Sequence, residues 1–144
     1  MAAVDDVDEL IEQYHQVQRE FLRGNPEPVK DLFSRREDVT LANPYGPPVR
    51  GFDEVAKTIE HSASLRRDGT FLGWQIVAKY VGAELAYVMQ IEWAEAKIGA
   101  REDISPIAVR ATMIFRSEDG EWRIVHRHAD PITTSQPAES VIQE

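Results

Sequence analysis

The chain has 144 residues, of which 42% are hydrophobic and 28% charged, with a formal net charge of −9 and no cysteine. That length suits one domain with one sizeable core. The acidic balance excludes a nucleic-acid partner, whose phosphates require clustered Lys and Arg, and the missing cysteines exclude disulfides, thiolate catalysis and Cys-ligated zinc.

The opening MAAVDDVDEL has no basic run followed by an apolar stretch, so no secretory signal is expected. No apolar run reaches membrane-spanning length, and the reading is of a cytoplasmic protein without a membrane partner.

Helices come first along the chain. Asp6 is a candidate N-cap with Glu9 three positions on, the spacing of a capping box. Val7, Leu10, Ile11, Tyr14, Val17 and Phe21 then recur at helical spacing and form one apolar stripe. Gly24-Asn25 ends that helix. Pro26 and Pro28 suit the start of a short second one, with Val29, Leu32 and Phe33 as its buried face. Val39 to Ala42 reads as a short strand stopped by an ordered turn, Asn43-Pro44-Tyr45-Gly46-Pro47-Pro48. A third helix is expected from Phe52 to Arg67. Asp53 and Glu54 stand in its first turn and Arg66 and Arg67 in its last, as the helix dipole prefers, and Val55, Ile59 and Ala63 face inward.

Strands follow. Phe71 to Val81 is rich in β-formers, and Gly82-Ala83-Glu84 reads as a tight turn. Leu85 to Glu95 alternates, with Leu85, Tyr87, Met89, Ile91 and Trp93 on one face and Ala86, Val88, Gln90, Glu92 and Ala94 on the other. Lys97 to Ser105 reads as a charged loop and Ile107 to Arg116 as the next strand. Ser117-Glu118-Asp119-Gly120 turns the chain into a last strand that ends in two histidines, an arginine and an aspartate. Residues 1–132 therefore read as one domain and 133–144 as a loose polar tail. Helices placed before a run of meandering strands imply an α+β fold. Three N-terminal helices would pack into a strongly bent antiparallel sheet. One face of that sheet encloses a pocket with the helices, and the outer face is free to pair with a second copy as a homodimer.

Three stretches carry a resemblance that covers roughly Asp5 to Asp130. They are Leu32-Phe33 with the run Val39 to Gly46, the run Val49 to Val55, and Asp119 to His128. In this order they resemble the nuclear transport factor 2-like superfamily. This cone-shaped, cystatin-like fold includes ketosteroid isomerases, SnoaL-like polyketide cyclases and the calmodulin-dependent kinase association domain, and the final hairpin is similar to that of the association domain. The resemblance implies the fold far more firmly than a reaction. It also implies departures from the isomerases. Their carboxylate base precedes the proline of the "NP" turn, where this chain has Asn43, which cannot accept a proton from carbon. Their tyrosine donor falls at Val17 and their protonated aspartate near Ala111-Thr112, so ketosteroid isomerisation is disfavoured. The acid that cyclases carry on the last strand corresponds to Arg127, which is no general acid near neutral pH.

Glu92 is the strongest candidate for acid–base chemistry, because a carboxylate in an apolar cavity has its pKa raised. The competing readings are a structural ion pair with Arg and a solvent-facing Glu. Strict alternation puts Trp122, Ile124, His126, His128 and Asp130 on one face of the last strand and Arg123, Val125, Arg127 and Ala129 on the other, although one bulge would swap the sides. A buried Arg127 would need a counter-charge, for which Glu92 is the obvious partner, or would bind a substrate carboxylate in bidentate fashion. His126, His128 and Asp130 resemble half a metal site, but no third ligand stands out and polar residues at a dimer face are the better reading. Tyr14, Phe21, Tyr45, Trp74 and Trp93 are candidate pocket walls. The ligand-contacting set is then Tyr14, Asn43, Tyr45, Trp74, Gln90, Arg127 and His128, with Glu92 as the acid or base and no metal or other cofactor. The expected ligand is a small apolar or carboxylate-bearing organic molecule. The expected function is ligand binding or a cofactor-free isomerase, dehydratase or cyclase activity, with a non-catalytic ligand-binding or homo-oligomerisation module as the rival.

Overall fold

Helix α1 (Val7–Phe21) begins where Asp6, in an extended conformation, accepts a hydrogen bond from the Glu9 amide at 2.7 Å. A computed structural model describes residues 6–143 of the chain. The expected domain, 1–132, and tail, 133–144, thus begin and end outside the described residues. The α1 face that packs inward carries Val7, Leu10, Ile11 and Tyr14, as its spacing requires, and also His15 and Gln18. Helix α2 (Glu27–Lys30) is a single turn that places Val29 in the core, followed by buried Leu32 and Phe33. Helix α3 (Phe52–Ser64) buries Val55, Ala56, Ile59, Ser62 and Ala63.

The remaining elements form one six-stranded, curled and unclosed sheet of order β2-β1-β6-β5-β4-β3. Its members are β1 (Thr40–Ala42), β2 (Val49–Arg50), β3 (Arg66–Val81), β4 (Leu85–Ile98), β5 (Ser105–Glu118) and β6 (Glu121–Asp130). Every neighbouring pair is antiparallel except β1 with β6. Asp119 and Gly120 both have positive φ, and together they make the two-residue turn between β5 and β6. Asp-Gly tolerates that geometry and the right-handed twist of a hairpin prefers it. A short 3-10 turn, Ala138–Val141, lies in the exposed C-terminal segment.

The α+β reading and the helical stripe of α1 hold, but several boundaries move. The third helix stops at Ser64 instead of Arg67. Arg66 and Arg67 open β3, because they pair with Ile98 and Lys97 at the far end of β4, and ladder bonds outweigh helix continuation there. β4 and β5 likewise extend into the expected 97–105 loop. The turn after β1 is the bend of a hairpin, since Val49 pairs with Leu41 to give β2, a strand unmarked by any alternation long enough to read.

Register shifts in β3 at Arg67/Thr70, Phe71/Gly73 and Ile76/Ala78 accompany the curl of the sheet over the helices. At the first of them Gly69 lies directly against Leu22. A β-carbon at position 69 would come within 2.5 Å of the Leu22 Cβ and carbonyl oxygen, and the Gly69 amide donates to that oxygen at 3.2 Å. Gly69→Ala should therefore push α1 away from the sheet and lower stability by about 1–3 kcal/mol in urea unfolding. An unchanged midpoint would show that this contact is not tight.

Candidate functional site

On β4 the alternation places Ala86, Val88, Gln90, Glu92 and Ala94 against the helices, while Leu85, Tyr87, Met89 and Trp93 are exposed on the outer face. The side chains turned inward at Ala94 of β4 and Ala129 of β6 are small. They do not fill the space under α1 and α3, and a hollow of about 90 Å³ is left there. Tyr14 and Gln18 of α1, Ile59 and Ser62 of α3, Asn43 and Pro44 of the turn, and the inner faces of β4, β5 and β6 enclose it.

A buried ion pair sits in its wall. Glu92 is 5% exposed and Arg127 8%. Arg127 Nη1 donates to Glu92 Oε2 at 2.9 Å and Nη2 to Oε1 at 2.8 Å, a bidentate pair. The pair spans β5, which separates their two strands. The inner residues of β5 there are Val109, paired with Glu92, and the small Ala111, paired with Gln90 and Ala129. Gln90 Nε2 adds a third bond, to Glu92 Oε2 at 2.7 Å. Burial alone would raise the Glu92 carboxyl; the charge and hydrogen bonds of Arg127, with the Gln90 bond, overcome it and hold the group below its ordinary value. Burial likewise opposes the charge of Arg127, and the Glu92 carboxylate reverses that and raises its pKa. Glu92 is therefore an anion with both oxygens engaged, and the free, apolar-surrounded acid that would make a strong base is absent.

Tyr14 completes this wall. The Arg127 guanidinium carbon stands 5.0 Å from the centre of its ring, a cation–π arrangement. Burial pushes the Tyr14 phenol well above its ordinary value, so it is a neutral hydroxyl. Behind Gln90, His15 is 3% exposed and its Nε2 lies 3.2 Å from Gln90 Oε1. Its ring stacks on Trp74 with centroids 3.7 Å apart, and among the described residues its Nδ1 has no hydrogen-bond partner. Burial lowers the His15 pKa, so the ring is neutral.

Of the residues singled out in the sequence, Tyr14, Phe21, Asn43, Glu92 and Arg127 meet in the hollow. Asn43 Nδ2 donates to Ser62 Oγ at 2.8 Å, which ties the turn to α3. Gln90 stands behind Glu92, and Trp74 is occupied in stacking on His15. Tyr45 is exposed and borders a second, more open hollow between the turn and α3. His128 points away from the hollow. It shares the outer face with Thr112, its register partner, and its Nε2 lies 3.8 Å from Asp130 Oδ2.

Alternation alone sets His128 opposite Arg127, and β6 departs from it only at a bulge. Ile114 pairs with His126 and Phe115 with Ile124, which leaves Val125 without a partner on β5. Ile124 is thereby turned into the core together with Arg127 and Ala129, although strict alternation had placed Ile124 on the histidine face. Among the described residues no group of three or more His, Cys, Asp or Glu is arranged to hold a metal. His126 Nδ1 is instead 2.7 Å from Thr40 Oγ1. Sequence reading missed Gln18, Ser62, Phe71 and Arg66 as lining residues. Gln18 was legible, being four residues after Tyr14 on the same helix face.

A family model for the SnoaL-like domain matches residues 7–133. The chain belongs to the SnoaL-like family. Within the nuclear transport factor 2-like superfamily, similar solved structures share its fold at low identity. A Thiobacillus denitrificans protein named for the calcium/calmodulin-dependent protein kinase type II association domain has a TM-score of 0.74 at 18% identity, over 92% of this chain and 100% of that one. A ketosteroid isomerase-like protein of Erwinia carotovora atroseptica has a TM-score of 0.73 at 18% identity, over 89% and 95%. A Streptomyces avermitilis protein named as a dehydratase of this superfamily has 0.70 at 18%, over 91% and 96%. No curated protein matches the sequence. None of the described helices is long and apolar enough to cross a membrane.

Removing one member of the buried pair strands the other. Arg127→Met and Glu92→Leu should each cost about 3–5 kcal/mol in guanidinium unfolding, while the double variant should recover most of that loss. Because the folded-state pKa of Glu92 is depressed, its stabilisation is full above its ordinary value of 4.5 and is lost as pH falls through the lowered folded value. As pH falls from 4.5 through the lowered folded value, the native chain should therefore lose more stability than the double variant does. Additive single-variant costs would mean that the two groups do not interact.

Proposed function

We propose that this SnoaL-like protein binds a small, mostly apolar organic molecule in the hollow between helices and sheet. The observation that carries the reading is a partly polar space left open inside an otherwise packed core, with a closed Glu92–Arg127 pair in its wall. Such a space is what a ligand pocket requires: apolar walls with a few fixed polar groups. The hollow has room for several waters. That suits a compact ligand of about one ring with a short substituent.

A homodimer through the outer sheet face is part of the same proposal. Tyr87, Met89 and Trp93 of β4 are exposed large side chains on that face, and exposed Tyr80 of β3 pairs with Tyr87. An apolar patch of this kind on a folded domain favours a partner surface, and a self-complementary one suits two-fold pairing.

A second reading, cofactor-free isomerisation, dehydration or cyclisation, is favoured by the position of Glu92 on the hollow wall. The isomerase-like and dehydratase names of similar structures point the same way. Glu92 would carry the proton. An anionic group of a ligand that competed for Arg127 would release the carboxylate, and burial would then raise its proton affinity. A rival without catalysis, a homo-oligomerisation module, has the kinase-hub name of a similar structure in its favour.

The test is thermal unfolding against a panel of aromatic acids, lactones and steroids. A one-ring ligand at 100 times its Kd should raise the midpoint by about 5 °C or more. Ala129→Leu, which adds bulk to the wall, should suppress the shift. No shift with any compound overturns the pocket reading. Sedimentation should return twice the 16.3 kDa chain mass, and Trp93→Glu should return the monomer; a monomeric native chain overturns the pairing.

A further inference from the structure

We infer that Arg66 selects the charge of the ligand: the hollow takes a one-ring molecule bearing a single carboxylate, which docks on Arg66 and not on Arg127. This inference rests on the hollow being a ligand site. Four titratable side chains line it, Tyr14, Arg66, Glu92 and Arg127. The Tyr14 phenol is neutral, because burial raises its pKa. Glu92 and Arg127 cancel each other through two hydrogen bonds. Arg127 is thus already neutralised by a carboxylate of the protein. The charge of Arg66 is left over, since among the described residues no carboxylate lies within 4 Å of its guanidinium. In a chain of net charge −9, the hollow therefore carries one net positive charge.

The geometry of Arg66 fits that role. It is the first residue of β3, immediately beyond the end of α3. Nη1 donates to the Ser62 carbonyl at 2.6 Å and to the Tyr45 hydroxyl at 2.9 Å. The guanidinium carbon lies 5.0 Å from the centre of the Phe21 ring and 5.8 Å from that of Tyr45. These contacts fix the plane of the group through one nitrogen. Among the described residues neither Nε nor Nη2 has a hydrogen-bond acceptor. Those two N–H groups form one edge of the guanidinium fork, the edge that receives a carboxylate in bidentate fashion. The bond to Ser62 also satisfies a carbonyl at the C-terminus of α3, a structural duty for Arg66. That duty accounts for Nη1 alone and leaves the other edge unused. Phe21, Leu22, Ile59, Phe71 and Ile107 supply the apolar wall for the ring.

Isothermal titration of the full chain at pH 7 with phenylacetate against phenylacetamide, and with benzoate against benzamide, tests the inference. These pairs keep the ring and change only the charge. The native protein should bind each acid about tenfold or more tightly than its amide, as a charge-assisted bidentate contact warrants. Arg66→Gln should bring that ratio near one, and Arg66→Lys, which keeps the charge without the fork, should leave a reduced preference. The ratio is read within each variant, so a loss of stability at the α3 terminus does not mimic it. Equal binding of acid and amide by the native chain overturns the role of Arg66 and leaves the hollow a ligand site. A preference that persists undiminished in both variants assigns the carboxylate to another group and overturns the inference too. Failure of acids, amides and the wider panel alike to bind overturns the pocket reading itself.

Discussion

The bidentate contact between Glu92 and Arg127 is the constraint around which the interior is organised. It joins β4 to β6 across β5, and two charges buried there would each be costly alone. The inner residues of the strand between them include small Ala111, and the bond from Gln90 satisfies one more lone pair of the carboxylate. Tyr14 covers the guanidinium from the helix side. Helix, strand and charge pair therefore fix one another. This part of the wall is polar yet electrically balanced, because Glu92 and Arg127 neutralise each other.

The hollow exists because bulk is distributed unusually between the two faces of the sheet. A sheet packed on helices ordinarily turns its large apolar residues inward. On β4 most of them point outward, and the inner face beside the hollow carries Gln90, Glu92 and the small Ala94. That inversion leaves space under the helices and places aromatic surface outside. Both features of the functional reading, an interior ligand and a partner on the outer face, follow from this single choice of side chains.

Charge then separates the possible roles of the polar residues. A closed pair makes Glu92 a poor base at rest and Arg127 a poor receptor for an anion. Arg66, anchored through one nitrogen and open along its other edge, keeps its charge available to a ligand. The residue that read most readily as an anion binder is the one the fold has already neutralised, and one that read as a helix terminus faces the hollow.

Much was legible in the residues themselves. Helical spacing in α1, alternation in β4 and the Asp-Gly turn each constrain the backbone through its own stereochemistry, so the α+β order and the inward direction of Glu92 could be read without coordinates. The resemblance of the Asp119 to His128 hairpin to a known superfamily agreed with the family to which the chain belongs. Other features are set by contacts between segments far apart in sequence. The bulge at Val125 depends on how β6 meets β5, and it decides that Ile124 shares the interior with Arg127. Strand β2 forms only because β1 is there to pair with it. Arg66 leaves its helix because Ile98, thirty-two positions later, offers it a ladder partner. Local periodicity carries no information about a partner strand, so these outcomes belonged to the tertiary structure alone.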